Sequence, residues 1–494
     1  MRVKESAMGR ITVSSVALVA MLAATGSASL RGQAPGAQAP AGAPRQGGRG
    51  QAPGGRGGPG GRGGPGGRGG APQAPLPAAP TAVTLPTISE AITGPGAMFD
   101  STPSLPPGKG TDFHKYEVKE YFVSGTANGQ PYKTRLVVRR PANASAFTGL
   151  VLAESMHVSG AAHMFEFTSQ YTMASGHAAV EILTTSPAQF VQQNEARYRE
   201  LQVGGAQANE ILAQVGALVK TGRPLGGLPV RKMVLSGTSM SAGTLINYLP
   251  AHMVYRTPDM QRIYDGFMPT SNGSTIPEVD VPLIHLPTMH EVSGNITNRQ
   301  DGDAPGQQYR LYEVSGIAHI DTRYSVRMKP NPCSLPLSEF PHEAYMSVGL
   351  HHLFGWVDKG TVPPRAERIW LDRDEHNDGS RMVLDEHGNP RGGIRNPYVD
   401  VPTAKYSIRP PAITPVIPNG SPYIANGGQA AANQMCGLSG SQVAFTPAKL
   451  KQLYRTKKNY VSMVERRLNE LEKQGWSLPV YRQLILDDAA KINF

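Results

Sequence analysis

The stretch VLSGTSMSAGTLINYL, Val234 to Leu249, decides the reading of this chain. Val234 and Leu235 close an apolar, strand-like run. Gly237, Thr238, Met240 and Ser241 then surround a serine, Ser239, and Leu245, Ile246 and Leu249 recur at helical spacing. Strand, tight turn with a serine, then helix is the sequence form of a nucleophile elbow. A serine hydroxyl is a poor nucleophile unless it stands clear of the backbone, within reach of a base and beside backbone N–H donors. The common spelling is Gly-x-Ser-x-Gly. Here Ser241 holds the last place, a residue still small enough for helix and strand to approach closely.

Working outward, short apolar runs alternate with helical patterns. Tyr116–Val123 and Arg135–Arg139 predict an antiparallel pair turning at Asn128-Gly129. Leu150–Ala153 and Ala178–Ile182 predict buried strands, with a helix over Ala161–Ala174 between them. Residues 205–221 place Ile211, Leu212, Val215, Leu218 and Val219 on one helical face. Strands at 232–236, Gly266–Met268, Val281–Leu286 and Tyr309–Val314 follow, and residues 343–357 and 447–472 predict helices. Strands alternating with helices imply an α/β fold, a mainly parallel central sheet covered on both faces. Residues 360–435, rich in Pro and Gly, predict a loop-rich region covering part of the sheet.

An elbow serine needs a base, and the base an orienting acid, which in α/β-hydrolases arrive in the chain order Ser, acid, His. The strand at 281–286 leads into Pro-Thr-Met-His-Glu291, and the strand at 309–314 into Ser-Gly-Ile-Ala-His319. Ser239, Glu291 and His319 therefore follow three strands expected to share one direction, and ligands bind beyond the carboxyl ends of such strands. Asp301 and Asp321 are rival acids, and Asp265 is expected to be structural. His290 falls in the acid's place in the chain order. His351 and His352 lie on a predicted helix and suit packing or surface roles. The Asp-Glu-His triplets at 374–376 and 385–387 stand in turn-forming contexts rather than metal sites. An oxyanion hole would use the N–H of Met240 and a second N–H near Met156, with His157 and Ser241 as candidate pocket residues.

The termini of this picture differ in material. Arg2, Lys4 and Arg10 precede an apolar stretch, Ile11–Ala24, and small residues at 26–28, the form of a signal peptide over residues 1–30. Residues 31–104 are expected to be a disordered Gly/Pro/Arg/Ala-rich linker, and 105–494 the folded domain. The first 30 residues carry a net +2, and residues 31–80 add six arginines with no acid. About +3 of the formal +11 is left for the rest, so the charge is no argument for nucleic-acid binding by the domain. The RGG-like repeats read better as a flexible cationic tether. The only two cysteines, Cys333 and Cys436, are expected to pair in an oxidising compartment, two free thiols being the alternative. No Cys/His spacing suggests a metal.

Several segments together resemble the bacterial, often exported "alpha/beta hydrolase domain" family. EYFVSGTAN at 120–128 looks like its entry strand, and VLAESMHVSG at 151–160 is similar to a segment usually written Val-Val-Glu-Trp-x-Asn-Val. GTSMSA at 237–242 is similar to the family's Gly-Glu-Ser-Gln-Ser-Ala, so Ser241 follows the family's habit. IYDGFMP, VPLIHLPTMHEV, RQDGD, YRLYEVSGIAHID and GNPRGGIRNPYVDVP follow in order. The resemblance implies an α/β-hydrolase fold with Ser239 as nucleophile, His319 as base and Glu291 as acid, where the family more often has Asp. Ser155 and His157 replace its Trp and Asn, which bears on specificity.

The expectation is thus a periplasmic or secreted serine hydrolase acting on small-molecule carboxylic esters. It needs no cofactor, no nucleic acid and no membrane span after signal cleavage, and its oligomeric state is open. The rivals are a silent cell-surface binding module on the same fold, an acyltransferase or peptidase with the same triad, and RNA binding through the RGG-like tract.

Overall fold

The computed structural model describes residues 75–494 apart from 293–295, 297–298, 325–327, 376–378 and 417–421. The expected signal peptide, the RGG-like tract and His376 lie outside the described residues.

The strands are β1 (Thr81–Ala82), β2 (Thr87–Ile88), β3 (Tyr116–Ala127), β4 (Gln130–Pro141), β5 (Leu150–Ser155), β6 (Ala178–Ile182), β7 (Lys232–Thr238), β8 (Tyr255–Arg256), β9 (Gly266–Thr270), β10 (Leu283–His285), β11 (Tyr309–Leu311), β12 (Ala404–Ile408) and β13 (Gly440–Ala444). Nine of them form one sheet in the order β11-β10-β9-β7-β5-β6-β4-β3-β2. The block from β11 to β6 is parallel, and β4, β3 and β2 extend it antiparallel. This is the mainly parallel sheet that the alternating pattern predicts.

The two-residue side-chain period of a strand sorts the core into two layers. Val151, Ala153, Met233, Leu235 and Phe267 pack on one face, against Ile211 and Leu212 of α4 (Ala208–Lys220) and Leu245 and Leu249 of α5 (Met240–His252). Leu150, Leu152, Val234 and Met268 pack on the other, against Phe165 of α1 (His163–Ala174) and residues of the helix His342–Lys359. The β3–β4 hairpin closes through Asn128 and Gly129, both at positive φ (51° and 67°), as a two-residue turn matched to strand twist requires.

Buried charge stitches the antiparallel end together. Arg135 pairs with Glu120 and Glu181, Arg139 reaches Glu181 at 2.8 Å, and Arg197 reaches Glu120 at 2.7 Å. Ser101 Oγ donates to Glu181 Oε2 at 2.7 Å, and Arg135 Nη2 donates to Phe99 O. The chain therefore joins the fold before residue 105. β1 pairs with β8, β2 pairs with β3, and Phe99 packs on Phe190 at 4.3 Å between centroids. Linker-like composition hid this, because two-residue strands and one anchored Phe leave almost no periodic signal.

Other boundaries differ for physical reasons. β10 and β11 are each three residues long, shorter than their apolar runs; Pro282 and Pro287 cannot donate to a ladder on either side of β10. The helix expected at 447–472 divides into Pro447–Tyr454 and Lys457–Gln474. Arg455 has φ 66°, and Thr456 Oγ1 accepts the Asn459 N–H as a new N-cap. The loop-rich region 360–435 also gives way to a helix, Pro422–Leu438, which Asn426-Gly427-Gly428 disguised as a turn; Gly428 is indeed non-helical inside it. Among the described residues no helix is long and apolar enough to cross a membrane.

Cys333 and Cys436 form a disulfide across 103 residues of chain, clasping the C-terminal extension near the β12–β13 pair. A loop of that size is worth about 4–5 kcal/mol in the chain-entropy account. Cys436→Ser is expected to lower the thermal unfolding midpoint by several degrees, and a reductant should lower the wild type equally while leaving the variant unchanged. An unaltered midpoint in scanning calorimetry would show that the clasp contributes nothing.

Candidate active site

The parallel strands deliver Ser239, Glu291 and His319 to one edge of the sheet. Ser239 follows β7 and precedes α5, with φ 54° and ψ −119°. A serine is seldom found there, and such strain persists only where the surroundings over-determine it. Gly237 is part of the reason that the turn can exist. A Cβ at 237 would lie 2.6 Å from Ser241 O and 2.8 Å from Ala242 N, so helix and strand cross on bare backbone. Ser241 is the other part. Its Oγ accepts the Thr238 N–H at 3.0 Å and donates to Thr238 O at 2.9 Å. The hydroxyl is consumed by the turn and the residue is 3% exposed, which corrects the expectation that Ser241 lines a pocket. Ser239 N–H donates to Thr270 O at 3.0 Å, and Asn272 Nδ2 donates to Ser239 O at 3.2 Å. Asn272 O in turn accepts from His285 Nε2 at 2.7 Å.

Glu291 follows β10 in the loop Pro287–Val292. Its Oε2 accepts the Thr288 N–H at 2.9 Å and the Thr288 hydroxyl at 2.6 Å. Its Oε1 lies 2.5 Å from His319 Nδ1. Burial alone would raise this carboxyl, but its interaction with the His319 imidazole, with the Thr288 hydroxyl bond beside it, holds it down at about 2. An ionised carboxylate can only accept, so Nδ1 carries the proton and Nε2 is left with a lone pair. Nε2 lies 2.9 Å from Ser239 Oγ, where the hydroxyl donates to it. The three residues are thus hydrogen-bonded in series, with His319 and Glu291 nearly buried.

The rival acids are engaged elsewhere. Asp301 binds Arg368 at 2.5 Å and the Leu311 N–H. Asp321 accepts the Arg323 N–H at 3.0 Å. Asp265 holds Lys220 and the Met233 N–H in the structural role expected of it. His351 meets the Tyr171 hydroxyl and His352 donates to Gly475 O, both packing contacts between elements. Asp385 Oδ1 accepts the N–H groups of His387 and Asn389, a local turn.

Met240 begins α5, so its N–H belongs to the first helical turn, whose donors have no acceptor within the helix and sit at the positive end of its dipole. The side chain is 59% exposed at the mouth of the turn. Met156 does not fit its expected role. Its N–H donates to Ile182 O at 2.9 Å, extending the β5–β6 ladder by one rung, and is therefore spent. His157 is half-buried in the following loop; its Nδ1 accepts the Ser159 N–H at 3.1 Å, and its ring meets His163 edge-on at 5.0 Å. Glu154 anchors this loop from below, accepting the N–H groups of Met164 and Phe165 at the start of α1; burial pushes its carboxyl up to about 8 against those two bonds.

Sequence reasoning missed Thr288, Asn272 and His285. For Thr288 the signal was present, since Thr288-x-x-Glu291 has capping-box spacing. Asn272 and His285 act through backbone atoms brought together only by the sheet, and left no local pattern.

A family model described as "Alpha/beta hydrolase domain" matches residues 77–487. No curated protein matches the chain significantly. Among solved structures, a cold-adapted esterase from an Arctic intertidal metagenomic library shares 15% identity, with 40% of this chain and 83% of that one covered and a TM-score of 0.25. Esterase Est22 shares 13%, with 34% and 47% covered and a TM-score of 0.24. Brefeldin A esterase, described as a bacterial homologue of human hormone sensitive lipase, shares 16%, with 35% and 44% covered and a TM-score of 0.23. Likenesses of that size add no weight; the family match and the sheet order carry the fold.

The bare crossing at 237 can be tested directly. Gly237→Ala is expected to destabilise by about 3 kcal/mol, since backbone rather than a movable side chain opposes the new methyl. Urea unfolding within roughly 0.5 kcal/mol of wild type, where neutral surface changes fall, would contradict this account of the turn.

Proposed function

The chain belongs to the alpha/beta hydrolase domain family, and from that premise we propose that it is an exported serine hydrolase cleaving small-molecule carboxylic esters. The supporting observation is the series Ser239 Oγ to His319 Nε2 at 2.9 Å and His319 Nδ1 to Glu291 Oε1 at 2.5 Å, at the carboxyl edge of a parallel sheet.

On this reading His319 Nε2 takes the hydroxyl proton as Ser239 Oγ bonds to the acyl carbon. Glu291, ionised and fixed by Thr288, stabilises the imidazolium and keeps the proton on Nδ1. The negative charge that develops on the carbonyl oxygen is met by the Met240 N–H at the start of α5. Collapse of the tetrahedral intermediate breaks the ester C–O bond, and the alcohol leaves with the proton held on Nε2. Water then gives its proton to Nε2 and bonds to the acyl carbon. The acid departs and Ser239 recovers its hydrogen. No step in this chemistry calls for a cofactor. Export is supported by the signal-like first 30 residues and by the Cys333–Cys436 bridge, which suits a periplasmic or secreted setting.

Wild-type protein is expected to form a covalent adduct with a fluorophosphonate at Ser239, located by peptide mass spectrometry, and to hydrolyse p-nitrophenyl esters. Ser239→Ala should remove both, and Glu291→Gln should lower kcat by on the order of 10³- to 10⁴-fold while the protein stays folded. Folded wild type that takes no label and turns over no ester would favour a silent binding module. Transfer of the acyl group to an added alcohol or amine in preference to water would favour the acyltransferase or peptidase alternative.

A further inference from the structure

His290 is in none of the roles above, yet it is bound to the base. β10 and β11 run parallel through His285 and Leu311, and backbone bonds carry the pairing a little further: Tyr312 N–H to His285 O at 2.8 Å, then Met289 N–H to Ile317 O at 3.0 Å. At the next rung the acceptor is no longer backbone. The His319 N–H donates to Nδ1 of the His290 side chain at 3.0 Å. The loop that carries the acid thereby also grips the main chain of the base. Arg409 holds that loop from the C-terminal extension by donating to His290 O at 3.2 Å.

We propose that His290 is a positioning residue for His319: its Nδ1 accepts the backbone N–H of residue 319 in place of a carbonyl and sets where the imidazole at 319 stands between Ser239 and Glu291. The inference rests on the serine-hydrolase reading above.

Three observations carry it. Because Nδ1 accepts, the proton of a neutral ring must sit on Nε2, and Nε2 is buried with no hydrogen-bond partner among the described residues. An orphaned buried donor is costly, and an apolar residue would fill the same room without that cost, so the ring is kept for what its other nitrogen does. Second, the ring is enclosed and the burial pushes its pKa down to about 3, so it stays neutral. The rings of His290 and His319 are 6.2 Å apart, and a charged group there would oppose the imidazolium that the mechanism forms at 319. Third, His290 and Glu291 are consecutive, so a shift of this loop would move the acid and the base's backbone anchor together.

The test uses full-length protein and two polar replacements of similar size. Asn places its Oδ1 near the position of Nδ1, whereas Gln has no acceptor at that position and carries its amide oxygen one bond further out, near Nε2. His290→Asn is expected to keep kcat for a p-nitrophenyl ester within about threefold of wild type. His290→Gln should lower kcat by about 10- to 100-fold with KM changed less than twofold, as misplacement of a reacting group does. Met382→Ala, in the apolar cluster beside Met289 and Ala318, controls for mere loss of packing: it should lower the thermal midpoint while kcat holds. Gln as fast as Asn, or Asn as slow as Gln, would overturn the positioning role while leaving the triad standing. Wild type without activity or label would overturn the triad reading and this inference together.

Discussion

The common direction of the strands from β6 to β11 is the constraint on which the site depends. A parallel ladder places every strand's carboxyl end on one edge, so Glu291 and His319, 52 and 80 positions from the serine, reach the same edge and link to it in series. The elbow at Ser239 adds a strained φ to that arrangement. The strain is tolerated because Gly237 removes a Cβ from the crossing, and Ser241 ties Thr238 through both its backbone groups. The acid loop repeats the same economy. Thr288 makes two bonds to one carboxylate oxygen and leaves the other for the imidazole.

Around this edge the supports differ in kind. Below the loop after β5, Glu154 caps the start of α1 with both carboxylate oxygens. At the antiparallel end, a buried network of arginines and glutamates fixes the N-terminal strap, and Ser101 O accepts the Ala162 N–H beside that same loop. Removing one partner from such a network leaves an uncompensated buried charge, at about 3–5 kcal/mol. On the far side, the C-terminal extension reaches the acid loop through Arg409 and is itself clasped by the disulfide. The three supports act on different elements of the fold.

Much of this was legible in the sequence, because it is local. Strand, small-residue turn and helix at 234–249 identify the elbow, and the alternating apolar runs give a parallel sheet. Chain order brings Glu291 and His319 to the fore, and the structure hydrogen-bonds Glu291 to His319 and His319 to Ser239. What escaped was whatever depends on which backbone groups are already engaged. A candidate donor at Met156 turned out to be a rung of the sheet, and the Ser241 hydroxyl was turned inward to its own turn. Asn272 and His285 meet only through folding. The helix Pro422–Leu438 was masked by Asn-Gly-Gly, and the strap at 81–101 by composition that resembles a linker.

Whether the three side chains act as one unit can be seen in a crystal structure of the protein inhibited by a phosphonate ester. Expected there are a covalent bond from Ser239 Oγ to phosphorus, a phosphonyl oxygen within hydrogen-bond distance of the Met240 N–H, and His319 Nε2 facing the ester oxygen with Glu291 behind it. Phosphorus attached to another residue, or the imidazole at 319 turned out of reach of both Ser239 and Glu291, would contradict it.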